Sequence, residues 1–428
     1  MKIAVIGGGI AGLAVAWLLS RRHAVTLFER HAQPGFVASS VAVDAGTGLA
    51  PVRVDVPLRV FYPGYYPTLT QLYAQLGVAT EPVSYATTFT GGDGRAFFRW
   101  RNLRWGDSSW PYVLPQDLAG VRARRIVAGA LRFNRQARAA LARGDLAGRS
   151  IGSFVSALGL PADYVEGLLL PALATIATCT TEDARLYPAD VVAGYLAGGL
   201  TRQSVRRAVN GADDACTRLL AGITRVQCQA GVHGVRHGPA PARGVQVLRG
   251  SGAELFDHVV LATQANQALA LWQDPTPPEA AALRGFSYRP LDVVMHRDTS
   301  LMPARRADWS PVNARVCAGQ DRPESTIWVN AVQPGLRHAP LALQTVQPQR
   351  EVRDALVISR ARFERPLVDA ASQQALAALQ RLQAQPGRRV WLCGSYAQPG
   401  VPLLESAVRS ACVVAQAITG RPALVGAV

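Results

Sequence analysis

The chain opens on a short unbroken apolar run, Lys2 to Ile6, then three glycines, then a second apolar stretch from Ile10 to Ser20. A run this short reads as a buried strand, and the longer stretch behind the glycines as a helix. Ala24 to Glu29 repeats the strand pattern and ends on an acid, which completes a βαβ unit starting at the first residue. From about Pro57 to Arg207 the pattern turns helical, at Thr68–Leu76, Val121–Ala142, Ile151–Ala157 and Ala162–Leu169, with breaks at Gly and Pro. Strand patterns return at Val226–Gln229, Val245–Leu248 and Phe256–Ala262, and again at Leu291–His296, Ala314–Cys317, Thr326–Ala331 and Leu343–Val346. A strand at Arg389–Cys393, a loop, and a helix from about Leu404 to Thr419 follow. A chain that leaves its first unit and re-enters it twice predicts two interleaved domains. One is expected to comprise residues 1–56, 206–285 and 378–428, the other 57–205 and 286–377.

Composition changes this picture little. At 428 residues the chain has room for two or three cooperating units, and 49% hydrophobic against 17% charged residues excludes disorder as the default. The formal charge of +16 matters more, because Lys2 is the only lysine and arginine carries the rest. Such a balance attracts an anionic lipid surface, an acyl carrier protein or nucleic acid. The arginines read as scattered rather than interleaved with aromatics, and no binding module is evident, which argues against nucleic acid. Cys179, Cys216, Cys228, Cys317, Cys393 and Cys412 are widely spaced without a CxxC pair, so no metal site is expected and a reducing cytoplasm is the expected setting. The glycines inside the first apolar run, and the absence of a cleavage site after it, argue against a signal peptide. No other stretch has the length of a charge-free membrane span.

The chemistry is concentrated at the ends. Gly7-Gly8-Gly9-Ile10-Ala11-Gly12 is a GxGxxG placed after a strand and opening a helix. Gly7 permits the turn, Gly9 lets the backbone approach a pyrophosphate, and Gly12 lets helix and strand pack closely. The N-terminal N–H groups of the helix then face the phosphates. Glu29, 17 residues after Gly12, is placed to accept hydrogen bonds from an adenosine ribose. Together these predict a dinucleotide site.

Val390-Trp391-Leu392-Cys393-Gly394-Ser395-Tyr396, with Pro399 to Ser410, resembles the closing flavin motif of the amine oxidase and phytoene desaturase superfamily. Phe256–Thr263, the segment from Tyr288 through Leu301-Met302-Pro303, and Asn330–Pro334 are similar to a bacterial branch of NAD/FAD-binding, amine oxidase-like proteins associated with cyclopropane-type fatty-acid modification. The resemblance spans essentially the whole chain. It implies an α/β fold in which a Rossmann-like FAD-binding domain of the glutathione reductase type is interleaved with an α+β substrate domain. It also implies FAD as cofactor, held by Gly7, Gly9, Ile10, Ala11, Gly12, Glu29, Arg30, Val226, Gly394, Ser395, Pro402, Leu403, Leu404 and Ala407. The activity implied is removal of a hydride from carbon of an apolar or acyl substrate, with a carrier protein or a peripheral anionic membrane as further partner.

Three departures bear on this. Phe36 stands where the family has the second glycine of a Gly-Gly pair, Ser395 stands where an acid is common, and the C-terminal loop lacks the branch's His, leaving Glu405 as its acid. Lys2 lies at the wrong end of the first strand to serve as the flavin-facing lysine of many amine oxidases. A non-redox isomerase or cyclase, or a degenerate flavoprotein acting as a binding partner, are the alternatives. No residue is assigned to catalysis outright. Tyr396 and Trp391 flank Gly394, and His296 with Asp298 follows an apolar strand; these are the candidates. Tyr62, Tyr65 and Tyr66 read either as an entrance lining or as core aromatics, Leu168–Ile176 as a pocket wall or a buried helix, and Glu405 as a helix-start carboxylate.

Overall fold

The computed structural model describes residues 1–46, 48, 50–106, 108–196, 203–239, 244–317 and 319–424. The end of the predicted helical insertion, 197–202, lies outside the described residues.

Five parallel strands form the first sheet. In chain order they are β1 (Lys2–Ile6), β2 (Ala24–Phe28), β3 (Arg225–Gln227), β4 (His258–Leu261) and β5 (Val390–Leu392), arranged β3-β2-β1-β4-β5. Both faces are covered, which is why β1 reads as continuous apolar sequence rather than as alternation. Ile3, Val5, Val25, Leu27 and Val260 pack against the helices α1 (Ile10–Ser20) and α2 (Leu404–Thr419). Ala4, Ile6, Val259, Leu261, Val390 and Leu392 face the opposite layer, which includes a three-stranded antiparallel sheet, Val232–His237, Val245–Arg249 and Gly252–Phe256. The predicted strand Phe256–Ala262 is thus two strands, one ending at Phe256 and the next starting at His258, with Asp257 donating its N–H to the Lys2 carbonyl between them.

The second sheet has eight strands in the order Val357–Pro366, Tyr288–His296, Leu343–Val346, Glu324–Trp328, Val312–Arg315, Thr87–Thr90, Ala96–Trp105, Ser108–Tyr112. Three of these come from the stretch expected to be helical, so that expectation is corrected. Thr87–Thr90 and the aromatic-rich run Ala96–Trp105 have the β-branched and aromatic content of strands, which a window dominated by neighbouring helices obscures. Helices do form at Pro67–Leu76, Val121–Arg143 and Ile151–Ala157. Ala162–Leu169 divides into a turn of α-helix and a π-helical segment, Val165–Leu169, which runs on into Leu170–Ala177. Pro171 comes just after the π-helical segment within this continuous run, and the helix is part of a buried apolar cluster. The predicted strand Thr326–Ala331 stops at Trp328, where a helical turn Val329–Val332 begins.

Candidate functional site

The C-terminal ends of β1, β4 and β5 converge. Gly7 donates its N–H to the Phe28 carbonyl at 2.8 Å and has φ +109°, and a Cβ on it would lie 2.7 Å from the Ala262 carbonyl oxygen. A Cβ on Gly12 would collide with the Gly7 carbonyl. Gly9 differs, since a Cβ there meets nothing within 4 Å, so packing inside the protein does not explain its small size. It is the N-cap of α1, no side chain caps that helix, and its first turn holds no acid. The N–H groups of Ile10, Ala11 and Gly12 therefore have no intrahelical acceptor and form an open anion cradle.

Glu29 lies just past β2 and is almost completely buried. Its carboxylate accepts the N–H groups of Gly8 at 2.7 Å, His31 at 2.9 Å and Gly35 at 3.2 Å. Two carboxylate oxygens offer about four acceptor positions, so one position stays open after these three bonds. Exposed Arg30 donates to the His31 ring, and Val226 sits half-exposed on the edge strand β3, opposite Leu27. These residues fit the adenosine and pyrophosphate end of a dinucleotide, with Gly9 and the uncapped helix as the observations that favour it.

At the other end Gly394, just after β5, donates its N–H to Ser410 Oγ at 2.9 Å, and Ser410 in turn bonds the Ala407 carbonyl, tying the strand end to α2. The N-terminus of α2 has Leu403 as its N-cap without a capping side chain. Pro402 and Ala407 are buried, while Ser395, Leu403 and Leu404 keep some exposure. Ser395, Tyr396, Gly400 and Pro402 line a narrow cleft together with Phe286 and Leu367. The Tyr396 ring meets Phe286 edge-on at 5.0 Å, and its buried hydroxyl has no hydrogen-bond partner. Burial pushes that phenol well above its usual range.

Several contacts here have no local signature in the sequence. Tyr65 Oη accepts the Val401 N–H at 2.8 Å, and Tyr62, Tyr65, Tyr66 and Tyr195 form one aromatic cluster. Tyr62 donates to the Tyr195 carbonyl, and Tyr62 and Tyr66 are core residues with Tyr65 packed against them. Glu405 lies in the first turn of α2, as a helix-start carboxylate, and also serves a second helix. Its two oxygens accept the Thr68 and Leu69 N–H groups at 3.1 and 2.9 Å, so it caps the helix Pro67–Leu76. Arg59 donates to the Phe36 carbonyl and lies 4.4 Å from the centre of the buried Phe36 ring. Arg365 lies near Arg59, Tyr66 and Tyr187, and its pKa is lowered by burial and by the Arg59 charge. The Tyr187 hydroxyl is buried without a partner.

Two candidates are not brought to this edge. Trp391 is the middle residue of β5, so its indole points into the helix layer while Val390 and Leu392 point the other way, and its Nε1 donates to His258 at 3.3 Å. His296 ends a strand whose other end, Tyr288, accepts the Ala265 N–H beside the cleft. At ~3.3 Å per residue the histidine is roughly 26 Å further along. There it is fully buried, bonding Thr345 Oγ1 at 2.7 Å and accepting the Asp298 N–H at 3.0 Å. Arg353 holds Asp298 through both carboxylate oxygens, at 2.8 and 3.0 Å. The pair is a closed strand-end polar network rather than a proton shuttle. Lys2 pairs with Glu254 at the opposite end of β1 from the glycines. Among the described residues no cluster of His, Cys, Asp or Glu is arranged to hold a metal, and no helix is long and apolar enough to cross a membrane.

A parallel Rossmann-like sheet with an uncapped α1 N-terminus and a returning C-terminal strand is the architecture that the comparisons also find. The NAD(P)-binding Rossmann-like domain family matches residues 5–76. The cyclohexylamine oxidase of Brevibacterium oxydans IH-35A superposes with a TM-score of 0.67 at 15% identity, over 97% of this chain and 98% of that one. The CLA-producing fatty acid isomerase of P. acnes gives 0.64 at 14%, over 96% of each chain. Putrescine oxidase bound to putrescine gives 0.64 at 14%, over 98% and 100%. A curated relative, the tRNA 5-methylaminomethyl-2-thiouridine biosynthesis bifunctional protein of Magnetococcus marinus, is 40% identical over 83 residues; the match spans 19% of this chain and 12% of that relative. The fold is thus the one the superfamily resemblance implied, along the whole chain.

Proposed function

We propose that this chain is an FAD-dependent oxidoreductase that takes a hydride from carbon of a largely apolar substrate while the adjacent carbon or nitrogen gives up a proton to solvent, leaving a C=C or C=N bond. The observation that carries the reading is the meeting of Gly7, Gly9 and Gly394 at one sheet edge beneath two helix N-termini without capping side chains. FAD bound there would supply the hydride acceptor. The chain's own residues would do the rest: α1 and Glu29 binding the adenosine half, and the α2 N-terminus favouring negative charge near Gly394. Tyr396, Phe286 and Leu367 would keep water from the reacting carbon.

The test is the absorbance spectrum of the purified protein. A flavin spectrum, present as isolated or after reconstitution with FAD, is expected; colourless protein that takes up no FAD overturns the reading. The likeness to a fatty acid isomerase along 96% of the chain supports a second reading, a flavin-dependent isomerase without net redox change. Anaerobic mixing with unsaturated fatty acids and amines separates the two: bleaching of the flavin supports the oxidoreductase, and double-bond migration without net bleaching supports the isomerase.

A further inference from the structure

One hairpin of the eight-stranded sheet is built inside out. Thr87–Thr90 pairs with Ala96–Trp105 only as far as Trp100, so beyond that residue Arg101–Trp105 has Ser108–Tyr112 as its one partner strand among the described residues. This projecting ribbon turns polar side chains inward, where Asn102 donates to Ser109 at 3.3 Å and Ser109 is buried. Its apolar side chains face out: Leu103 is 59% exposed and Trp105 82%, with Trp110 and Tyr112 also exposed. The register puts Leu103 opposite Trp110 and Arg101 opposite Tyr112, so all of these share one face. An outward aromatic face of this kind marks an interaction surface.

The neighbouring helix supplies the charge. Val121–Arg143 packs on the same strand through the face that carries Phe98 and Trp100, with Arg122 stacked over Phe97 at 3.5 Å, at the bulge in that strand. The helix holds seven arginines and no acid. Arg122 and Arg125 pair with Asp163, and Arg143 with Asp145. Arg124, Arg132, Arg135 and Arg138 form no ion pair among the described residues. At helical spacing Val121, Arg124, Leu131, Arg135 and Arg138 line one exposed stripe of mixed apolar and cationic residues.

We infer that the ribbon Arg101–Tyr112 docks on an anionic lipid surface, the aromatics entering the interface with Arg101 on the same face, and the arginines of the neighbouring helix Val121–Arg143 adding attraction to the phosphate headgroups. Tryptophan and tyrosine favour the boundary between headgroup and acyl chain, and one acidic lipid chemistry satisfies both the apolar face and the unpaired cations. The ribbon tip also borders an open groove of about 560 Å³ lined by Phe61, Pro63, Tyr73, Ser108, Gln203 and Arg206. Ser108 bridges to Gln203, whose side chain accepts the Gly64 N–H. Tyr65 of that same loop contacts Val401 of the cofactor edge, so docking would set the groove mouth against the bilayer one layer of residues from the cleft. The docking itself does not depend on the cofactor reading.

The experiment is sedimentation of the full chain with phosphatidylcholine vesicles, with and without added phosphatidylglycerol, followed by tryptophan quenching with brominated lipid. Binding to the anionic vesicles alone, quenching on binding, and release by salt are expected. The double variant W105S/W110S should bind roughly tenfold more weakly and lose most of the quenching, and R135Q/R138Q should lose the preference for anionic lipid. All four side chains are exposed, so an unchanged circular dichroism spectrum and melting temperature accompany these losses. Absence of binding, equal binding to neutral vesicles, or binding without quenching overturns the proposal. So does a concentration-dependent dimer that W105S/W110S dissolves, which would assign the face to a second copy of the chain.

Discussion

Glu29 holds its own loop as well as any ribose. With three backbone N–H groups on one carboxylate, Glu29→Ala leaves buried donors unsatisfied and removes the ribose acceptor together. FAD titration should show affinity falling roughly tenfold or more, since a hydrogen bond to a charged group contributes about 1.5–3 kcal/mol; an unchanged affinity would place the adenosine elsewhere. His296 leads to a pH prediction. Burial lowers its pKa to about 4 from 6.5, so below pH 6.5 the unfolded chain takes a proton the folded chain refuses. Stability is then full above about 6.5 and declines as pH falls toward about 4, by at most about 1.4 kcal/mol per pH unit. Asp298, held well below the usual carboxylate range chiefly by Arg353, adds a loss only at still lower pH. Melting temperatures across this range should fall on acidification, and His296→Gln should flatten that slope. At this scale the glycines and Glu29 were legible because their partners lie within one βαβ unit. Glu405 and Arg365 were not, because what they meet lies hundreds of residues away or on another strand.

Among the elements, the helix Pro67–Leu76 depends on a residue from the other end of the chain. Tyr66, its own N-cap, supplies no side-chain bond, and Glu405 does this instead. Glu405→Ala should lower stability by about 1–2 kcal/mol, as loss of a cap does, read as a shift in the denaturant midpoint, while Glu405→Gln retains part of the effect. Strong periodicity made α1, α2 and Ile151–Ala157 readable to the residue. The strands between Thr87 and Tyr112 were missed because the ribbon reverses the usual pattern, so an alternation of arginine and tryptophan does not announce which face is buried. Trp391 was misjudged for a simpler reason: in a strand of period two it cannot share a side with both of its neighbours.

At the scale of the whole molecule, one chain threads back and forth between the two larger sheets. The long crossings explain why the narrow cleft, assembled from residues such as Phe286, Leu367, Tyr396 and Gly400, was the least readable part. The parallel sheet is completed only when β5 arrives, and β5 and α2 come from the last forty or so residues described. During synthesis β4 would emerge with one edge unpaired, and α1 would wait with its apolar flank bare until α2 is made. Contacts this distant in sequence slow folding and expose a partly built intermediate to aggregation. A chain ending at Gln385 should therefore accumulate as chaperone-bound or insoluble material rather than as a weakened enzyme, which fractionation after expression would show. The edge where Gly7 and Gly394 meet thus joins residues made first to residues made hundreds of positions later, and it is complete only once both are in place.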